Sequence, residues 1–236
     1  MSRTLKRRIP VDANTAVRSV WTVPRGYRAR QGDAVILAHG AGSDMDSPRM
    51  RHVHGGLARQ GLLAIRFNFP YVEAQRRRPP DPAPRLEATF RAVIAQLRAD
   101  KVLRPRRLVI GGKSLGGRIA SHLAAAGEPV DGLLLLGYPL HPPGRTDRLR
   151  DAHLPSVTCP MLFLQGGRDP LCDLSLLKSV LWRVTAPATL RVVAEGDHSF
   201  HVPKRSRFDD GQVLDAAVEI AAAWIRDLPV RAEAGA

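Results

Sequence analysis

The chain has 236 residues, of which 44% are hydrophobic and 5% aromatic, and its formal net charge is +14 at pH 7. No apolar run approaches the ~18 residues of a membrane span, and the basic N-terminus lacks the apolar stretch of a signal peptide. These features predict a single cytoplasmic domain over residues 1–236, with mobile ends at 1–14 and 230–236.

The positive charge raises the question of a nucleic-acid partner. Of the 36 basic residues, 31 are arginine and five are lysine, and they are spread along the whole chain. Three clusters, at residues 76–78, 104–107 and 204–207, have no aromatic residues interleaved for base stacking. We interpret them as solvated basic faces with weak attraction to polyanions, and predict no specific nucleic-acid partner and no membrane partner. The oligomeric state stays open.

Strand and helix patterns alternate along the chain. The predicted strands are residues 15–23, 33–38, 62–67, 108–110, 131–136, 161–165 and 189–193. The predicted helices are residues 47–60, 85–99, 118–126, 171–185 and 209–227. This alternation predicts an α/β fold, an open and mainly parallel sheet with helices on both faces. The longest irregular stretches, 72–84 and 138–159, are too short for a large lid domain.

Residues 108–118 (LVIGGKSLGGR) place a serine between a strand and a helix. Gly112 and Gly116 lie two residues on either side of Ser114, which is the G-x-S-x-G pattern of a nucleophile turn. A serine on so tight a turn has a strained backbone, and its neighbours must lack a Cβ so that strand and helix can approach closely. The pattern predicts a nucleophile, and a helix-capping serine is the alternative.

A serine nucleophile needs a base and a carboxylate that orients the base. The expected chain order is Ser, then Asp or Glu, then His. Asp169 and His198 follow successive strands, and parallel strands would bring both to the edge that carries Ser114. Taken singly, Asp169 could be a turn residue with Asp173 as a competitor, and His198 could be a loop histidine near His201. Their joint placement predicts a catalytic triad.

Two backbone N–H groups are predicted to stabilise the oxyanion of acyl transfer. One belongs to Leu115, the residue after the nucleophile. The other belongs to Ala41, in the loop 39–42 (HGAG) that follows a strand. Gly40 and Gly42 would let this loop approach a substrate closely, and a tight turn without a ligand is the alternative.

Three residues in loops that follow strands ending near Ser114 are candidates to line the substrate pocket: Tyr71, Tyr138 and His141. Structural packing of these side chains is the alternative. Lys113, the variable residue of the serine motif, could shape the pocket or its electric field, or could face the surface. No cluster of ligating residues is apparent, so no metal or organic cofactor is predicted.

Several segments resemble known proteins. Four segments resemble motifs of the α/β-hydrolase superfamily: residues 39–42 (HGAG), 112–116 (GKSLG), 166–169 (GGRD) and 196–198 (GDH). Longer segments resemble a narrower branch that is akin to dienelactone-hydrolase-like enzymes: residues 39–45 (HGAGSDM), 66–71 (RFNFPY), 111–118 (GGKSLGGR) and 138–143 (YPLHPP). That branch includes a subunit of a nuclear histone-acetyltransferase (non-specific lethal) complex and a testis-expressed protein.

The resemblance implies a serine hydrolase of esterase type. Dienelactone hydrolases proper use a cysteine nucleophile where this chain has Ser114. We therefore predict a carboxylic-ester hydrolase acting on a small-molecule ester: Ser114 attacks the carbonyl, His198 takes and returns the proton, and Asp169 holds the imidazole. The alternatives are a binding or scaffold protein with an unused triad, and a thioesterase or small amide hydrolase.

Overall fold

Strands and helices alternate through the part of the chain that the computed structural model describes, residues 2–75 and 80–229. The strands are β1 (Arg3–Asp12), β2 (Thr15–Val23), β3 (Asp33–Ala38), β4 (Leu63–Phe67), β5 (Arg107–Lys113), β6 (Gly132–Leu136), β7 (Met161–Gly166) and β8 (Ala188–Val193). The helices are α1 (Pro48–Arg59), α2 (Pro70–Glu73), α3 (Ala83–Ala99), α4 (Leu115–Ala125), α5 (Leu174–Leu181) and α6 (Asp210–Asp227), with a 3-10 turn at Leu154–Ser156.

The strands form one sheet in the order β1-β2-β4-β3-β5-β6-β7-β8. β1 pairs antiparallel with β2, and β2 pairs antiparallel with β4. All neighbouring strands from β4 to β8 are parallel. Every residue of β3 and β6 is buried, as expected for inner strands covered on both faces. The carboxyl ends of the parallel strands therefore meet along one edge.

The two faces of the sheet are covered by different helices. α1 and α6 pack with apolar residues such as Val35, Leu134 and Leu162 on one face. α3, α4 and α5 pack with residues such as Ile36 and Leu135 on the other. The predicted α/β fold with helices on both faces is confirmed, and no separate lid covers the strand ends within the described residues.

Three predicted elements differ from the observed ones by more than two residues at an end. β5 continues through Gly111 and Gly112 to Lys113, because Ala38 of β3 and Leu136 of β6 pair with its last residues. α4 consequently begins at Leu115 rather than at residue 118. α5 spans Leu174–Leu181, shorter than the predicted 171–185, because its first turn is capped by a side chain at position 173.

The N-terminal segment was expected to be a mobile end, and this is wrong for most of residues 1–14. β1 pairs with β2 along nearly its whole length, and Ile9 is buried in the core. β1 forms one edge of the sheet, where Lys6, Arg8 and Pro10 are exposed. The backbone pairing with β2 and the buried side chain of Ile9 hold this segment in place, although its many charged residues suggested a mobile end. The expected mobile end at 230–236 lies outside the described residues.

The basic clusters named above differ in their burial and in their partners. Arg107 is buried and forms an ion pair with Asp33 at 2.7 Å, and Arg106 approaches the same carboxylate at 3.3 Å. Arg107 also donates to the carbonyl of Arg226 at the end of α6 (3.0 Å). This cluster is therefore partly structural, contrary to its interpretation as a solvated face. The cluster at 76–78 lies outside the described residues.

None of the helices within residues 2–75 and 80–229 combines the length and the apolar character that crossing a bilayer would need.

Candidate active site

Ser114 lies on the turn between β5 and α4 with φ at +51° and ψ at −112°. Such a positive φ is strained for a residue with a side chain. The turn presses against the end of β3: a Cβ at Gly112 would lie 2.1 Å from the Ala38 carbonyl oxygen, and one at Gly116 2.2 Å from the same atom. Both glycines are thus required by backbone contact. The hydroxyl of Ser114 makes no capping hydrogen bond to α4, so the capping alternative does not apply.

The hydroxyl of Ser114 instead faces His198. Its Oγ lies 2.9 Å from His198 Nε2, and His198 Nδ1 lies 2.7 Å from Asp169 Oδ2. With the Nδ1 proton donated to the carboxylate, Nε2 is free to accept the hydroxyl proton. The three residues therefore form a continuous hydrogen-bonded line above the carboxyl edge of the sheet, with the connections that the sequence predicts.

The carboxylate of Asp169 is fully buried and held by further donors. Leu171 N–H donates to Oδ1 at 2.8 Å, and Gln165 Nε2 donates to Oδ2 at 2.6 Å. The other end of the Gln165 amide accepts from the N–H of Tyr138 at 2.9 Å. Sequence reasoning missed Gln165. The one signal was a polar residue closing an apolar strand, and it does not reveal which way the amide points.

The two competitors for the predicted roles have other partners. Asp173 caps α5 by accepting from the N–H groups of Ser175 and Leu176. His201 pairs with Asp210 at 2.8 Å. Neither lies in the line that reaches Ser114.

A cavity of about 200 Å³ opens beside Ser114 and His198. Its wall includes Ala41, Lys113 and Leu214. Leu115 begins α4 directly after the serine. Ala41 and Leu115 therefore belong to two different segments near the serine, the loop after β3 and the start of α4, and their N–H groups stay the predicted oxyanion donors.

His39 holds the loop that carries Ala41. Its Nε2 accepts from the N–H of Phe69 at 3.2 Å, which leaves Nδ1 to donate to the Gly40 carbonyl at 2.9 Å. Burial lowers the pKa of His39 to about 4, so the ring is neutral at pH 7. Asn68 supports the same loop by accepting from the N–H of Met45 at 2.9 Å. The loop is therefore fixed by the backbone N–H of Phe69 and the side chain of Asn68, both from the segment after β4.

Lys113 directs its head group inward. Its Nζ is buried and has no hydrogen-bond partner. Burial lowers the pKa of Lys113 to about 8, although the carboxylates of Asp169 and Asp197 favour its charged form. The alternative in which this lysine faces the surface is wrong.

The three residues predicted to line the substrate pocket lie elsewhere and are buried: Tyr71, Tyr138 and His141. Tyr71 packs against His39, and Tyr138 donates its hydroxyl to the Arg150 carbonyl at 2.7 Å. His141 Nε2 accepts from a backbone N–H of the loop after β7 at 3.0 Å. Strand order places their loops near the serine, but their side chains turn into the core.

A second serine and histidine also touch: Ser121 Oγ lies 2.8 Å from His153 Nε2. Ser121 is fully buried and already donates its proton to the Arg118 carbonyl at 2.8 Å. His153 must therefore be the donor in this pair, and it does not act as a base toward Ser121. The contact holds α4 against the segment before β7.

Among the described residues, no group of three or more His, Cys, Asp or Glu side chains is arranged to hold a metal ion.

Residues 31–226 match a family model described as an alpha/beta hydrolase domain. The chain belongs to the α/β-hydrolase family. This membership agrees with the sheet order, the strained serine turn and the placement of the hydrogen-bonded line at the carboxyl edge.

Solved structures of α/β hydrolases superpose on nearly the whole chain. A dienelactone hydrolase from Anabaena variabilis is 21% identical, with a TM-score of 0.76 over 98% of this chain and 99% of that chain. An α/β serine hydrolase without a lid from Xanthomonas campestris is 24% identical, with a TM-score of 0.70 over 98% and 97%. An α/β serine hydrolase homologue from Coxiella burnetii is 17% identical, with a TM-score of 0.68 over 96% and 97%. At these identities the likeness shows the fold alone.

Proposed function

We propose that this α/β hydrolase cleaves small carboxylic esters through an acyl-enzyme on Ser114. The observation that carries the proposal is the unbroken line from Ser114 Oγ through the His198 ring to the buried Asp169 carboxylate, with bonds of 2.9 and 2.7 Å. Because a serine hydroxyl is a weak nucleophile at neutral pH, it needs such a base to become reactive.

The proposed reaction assigns one task to each group. Ser114 Oγ attacks the ester carbonyl as its proton passes to His198 Nε2, and Asp169 stabilises the resulting imidazolium. The N–H groups of Ala41 and Leu115 receive the oxyanion. His198 then gives its proton to the leaving alcohol, and a water molecule repeats the sequence to release the acid.

The size of the cavity supports small substrates. Its volume of about 200 Å³ lies below the roughly 300–1,000 Å³ of common ligand sites. One superposed structure is described as a serine hydrolase without a lid, and that description fits an open site of this kind. We therefore propose short acyl chains.

The narrower resemblance to the branch with the histone-acetyltransferase complex subunit is part of the same proposal. Two of the segments that carry this resemblance contact each other beside the site. Asn68 and Phe69, in the segment 66–71, form hydrogen bonds with Met45 and His39, in the segment 39–45. A role as a complex subunit without turnover is the outcome that the following experiment would reveal.

The test uses p-nitrophenyl esters of increasing acyl length and a fluorophosphonate probe. The wild type should hydrolyse acetate or butyrate faster than decanoate, and the probe should label it. Ser114→Ala should lose turnover by at least about a thousandfold and lose labelling. Ser121→Ala is the matched control, since it removes the other histidine-bonded hydroxyl, and it should keep both. A folded wild type with no turnover at any acyl length and no labelling would refute the proposal and favour the scaffold alternative. A preference for the matching thioester would assign the site to thioesters.

A further inference from the structure

The side chain of Lys113 ends in a niche beside the proposed base. Lysine head groups are almost never fully buried unless they are paired, and the Nζ of Lys113 is buried without a partner. The niche exists because residue 137 is glycine. A Cβ there would lie 2.9 Å from Lys113 Nζ, 2.9 Å from the His198 carbonyl oxygen and 3.6 Å from His198 Nδ1. The amine and the imidazole therefore border the same small space.

Charged groups from three segments act on the amine of Lys113. The carboxylates of Asp169 and Asp197, after β7 and β8, favour the ammonium form, and Arg49 on α1 opposes it. His39, across the cavity, is neutral because burial lowers its pKa to about 4. Burial is the strongest influence on Lys113 and lowers its pKa to about 8. The amine thus changes its charge close to neutral pH.

We propose that Lys113 is a positioning residue that acts through His198, its head group setting how readily the imidazole accepts the proton of Ser114. The inference rests on the proposed hydrolase function. When the proton moves from Ser114 Oγ to His198 Nε2, the ring becomes a cation. An ammonium on Lys113 repels that cation and weakens the pull of Asp169, whereas a neutral amine does neither. At a separation of about 6 Å and an effective dielectric constant of about 20, the full repulsion would change the rate about a hundredfold. Because the cavity is open to solvent, which screens the two charges, we expect a change of about tenfold.

The repulsion ends when Lys113 loses its proton, so the rate should rise with increasing pH near pH 8. This rise is the mark of the lysine in the pH profile.

The experiment measures the rate of Ser114 labelling by an alkyl fluorophosphonate between pH 5 and 10. The wild type should show the rise near pH 8. Lys113→Met should lack this rise and should react about tenfold faster than the wild type at pH 7.5. Lys113→Arg keeps a permanent charge and should lose the rise near pH 8 while remaining slow. Lys101→Met, which removes an exposed charge from the opposite edge of the sheet, should keep the wild-type profile.

A second readout needs no substrate. The NMR signal of the Lys113 Cε methylene, assigned by its loss in Lys113→Met, should titrate near pH 8 in the wild type. A wild-type profile without a rise near pH 8, or a Lys113 signal that does not titrate near pH 8, would overturn the role of Lys113 and leave the hydrolase proposal intact. A weaker affinity of Lys113→Met for carboxylate-bearing esters, with an unmoved pH profile, would make the lysine a substrate contact and would also overturn it. Failure of the wild type to label at any pH would refute the hydrolase proposal and, with it, a role of Lys113 in that reaction.

Discussion

Several hydrogen bonds hold the carboxylate of Asp169, and another side chain at this position would not make all of them. One oxygen accepts from both His198 Nδ1 and Gln165 Nε2, and the other accepts from the N–H of Leu171. Each of these donors needs an oxygen that accepts, and a carboxylate offers such an oxygen on both sides. An amide at this position would direct either a donor or a weaker acceptor at the ring, and the tautomer that leaves Nε2 able to accept would be lost.

We therefore expect Asp169→Asn to reduce kcat for ester hydrolysis by about a thousandfold or more, as the loss of this partner does in other triads. Asp173→Asn is the matched control: it weakens a helix cap, at a cost of about 1 kcal/mol or less in stability, and should leave kcat unchanged. Steady-state kinetics and urea denaturation measure the two effects. Activity near that of the wild type in Asp169→Asn would move the acid elsewhere.

At the scale of single residues, the sequence predicted what depends on chain order and missed what depends on side-chain direction. Ser114, Asp169 and His198 could be found because the carboxyl ends of parallel strands share an edge. Gln165 could not, because its role depends on a rotamer set by its neighbours. The same limit explains the error at Tyr138, whose loop ends near the serine while its ring packs against the core.

The turn that carries Ser114 depends on three elements approaching at backbone distance. β5, α4 and the end of β3 meet where Gly112 and Gly116 face the Ala38 carbonyl. No side chain can give way there, since the opposing atom belongs to the backbone. The strained serine conformation is maintained because the surrounding packing fixes both ends of the turn.

Gly116→Ala should consequently destabilise the protein by about 2 to 4 kcal/mol and abolish labelling of Ser114, since the new Cβ must displace β3. Gly55→Ala, also a glycine within a helix, is the matched control. Its Cβ would meet only the end of the Arg59 side chain at 3.5 Å, so the better helix propensity of alanine should stabilise it by about 0.5 to 1 kcal/mol. Chemical denaturation of both variants makes the comparison, and equal effects would contradict it.

Most elements were predictable from periodicity, and the errors lie where pairing partners override local preference. The glycines of β5 interrupt an apolar run, so the sequence ended the strand at residue 110, yet pairing with Ala38 and Leu136 extends it. The highly charged β1 carries a weak strand pattern by itself. It forms because β2 offers it an antiparallel partner, and such a pairing is not visible in the segment alone.

The molecule as a whole contains three histidines that folding holds neutral: His39, His54 and His153. Burial is the main cause in each case and lowers each pKa to about 4. His54 shows the contacts involved: Nε2 donates to the Ala64 carbonyl at 3.0 Å, and Nδ1 accepts from Arg66 at 2.8 Å. A proton on Nδ1 would remove the second bond and place a cation beside the guanidinium.

The unfolded chain protonates these rings near pH 6.5, whereas the folded chain resists until about pH 4. The unfolded state thus binds more protons in this interval, and stability must fall as the pH decreases. Three such rings would together lower the free energy of unfolding by about 7 kcal/mol between pH 7 and pH 4.5. Solvent screening of the less buried rings reduces the drop that we expect to about 3 to 5 kcal/mol. Urea denaturation at a series of pH values measures it, and a free energy that stays constant over this interval would show that the rings are not held neutral.

The basic residues on the exposed edge strand β1 affect how two copies of this protein approach each other. An open strand offers unsatisfied N–H and C=O groups to any neighbouring chain. Along β1, two approaching copies would have to bring Lys6 and Arg8 close to their own counterparts, and Pro10 has no N–H to contribute. The positive charges on β1 therefore keep the edge strands of two molecules apart. Because dissolved salt screens this repulsion, the repulsion weakens as the ionic strength of the solution rises.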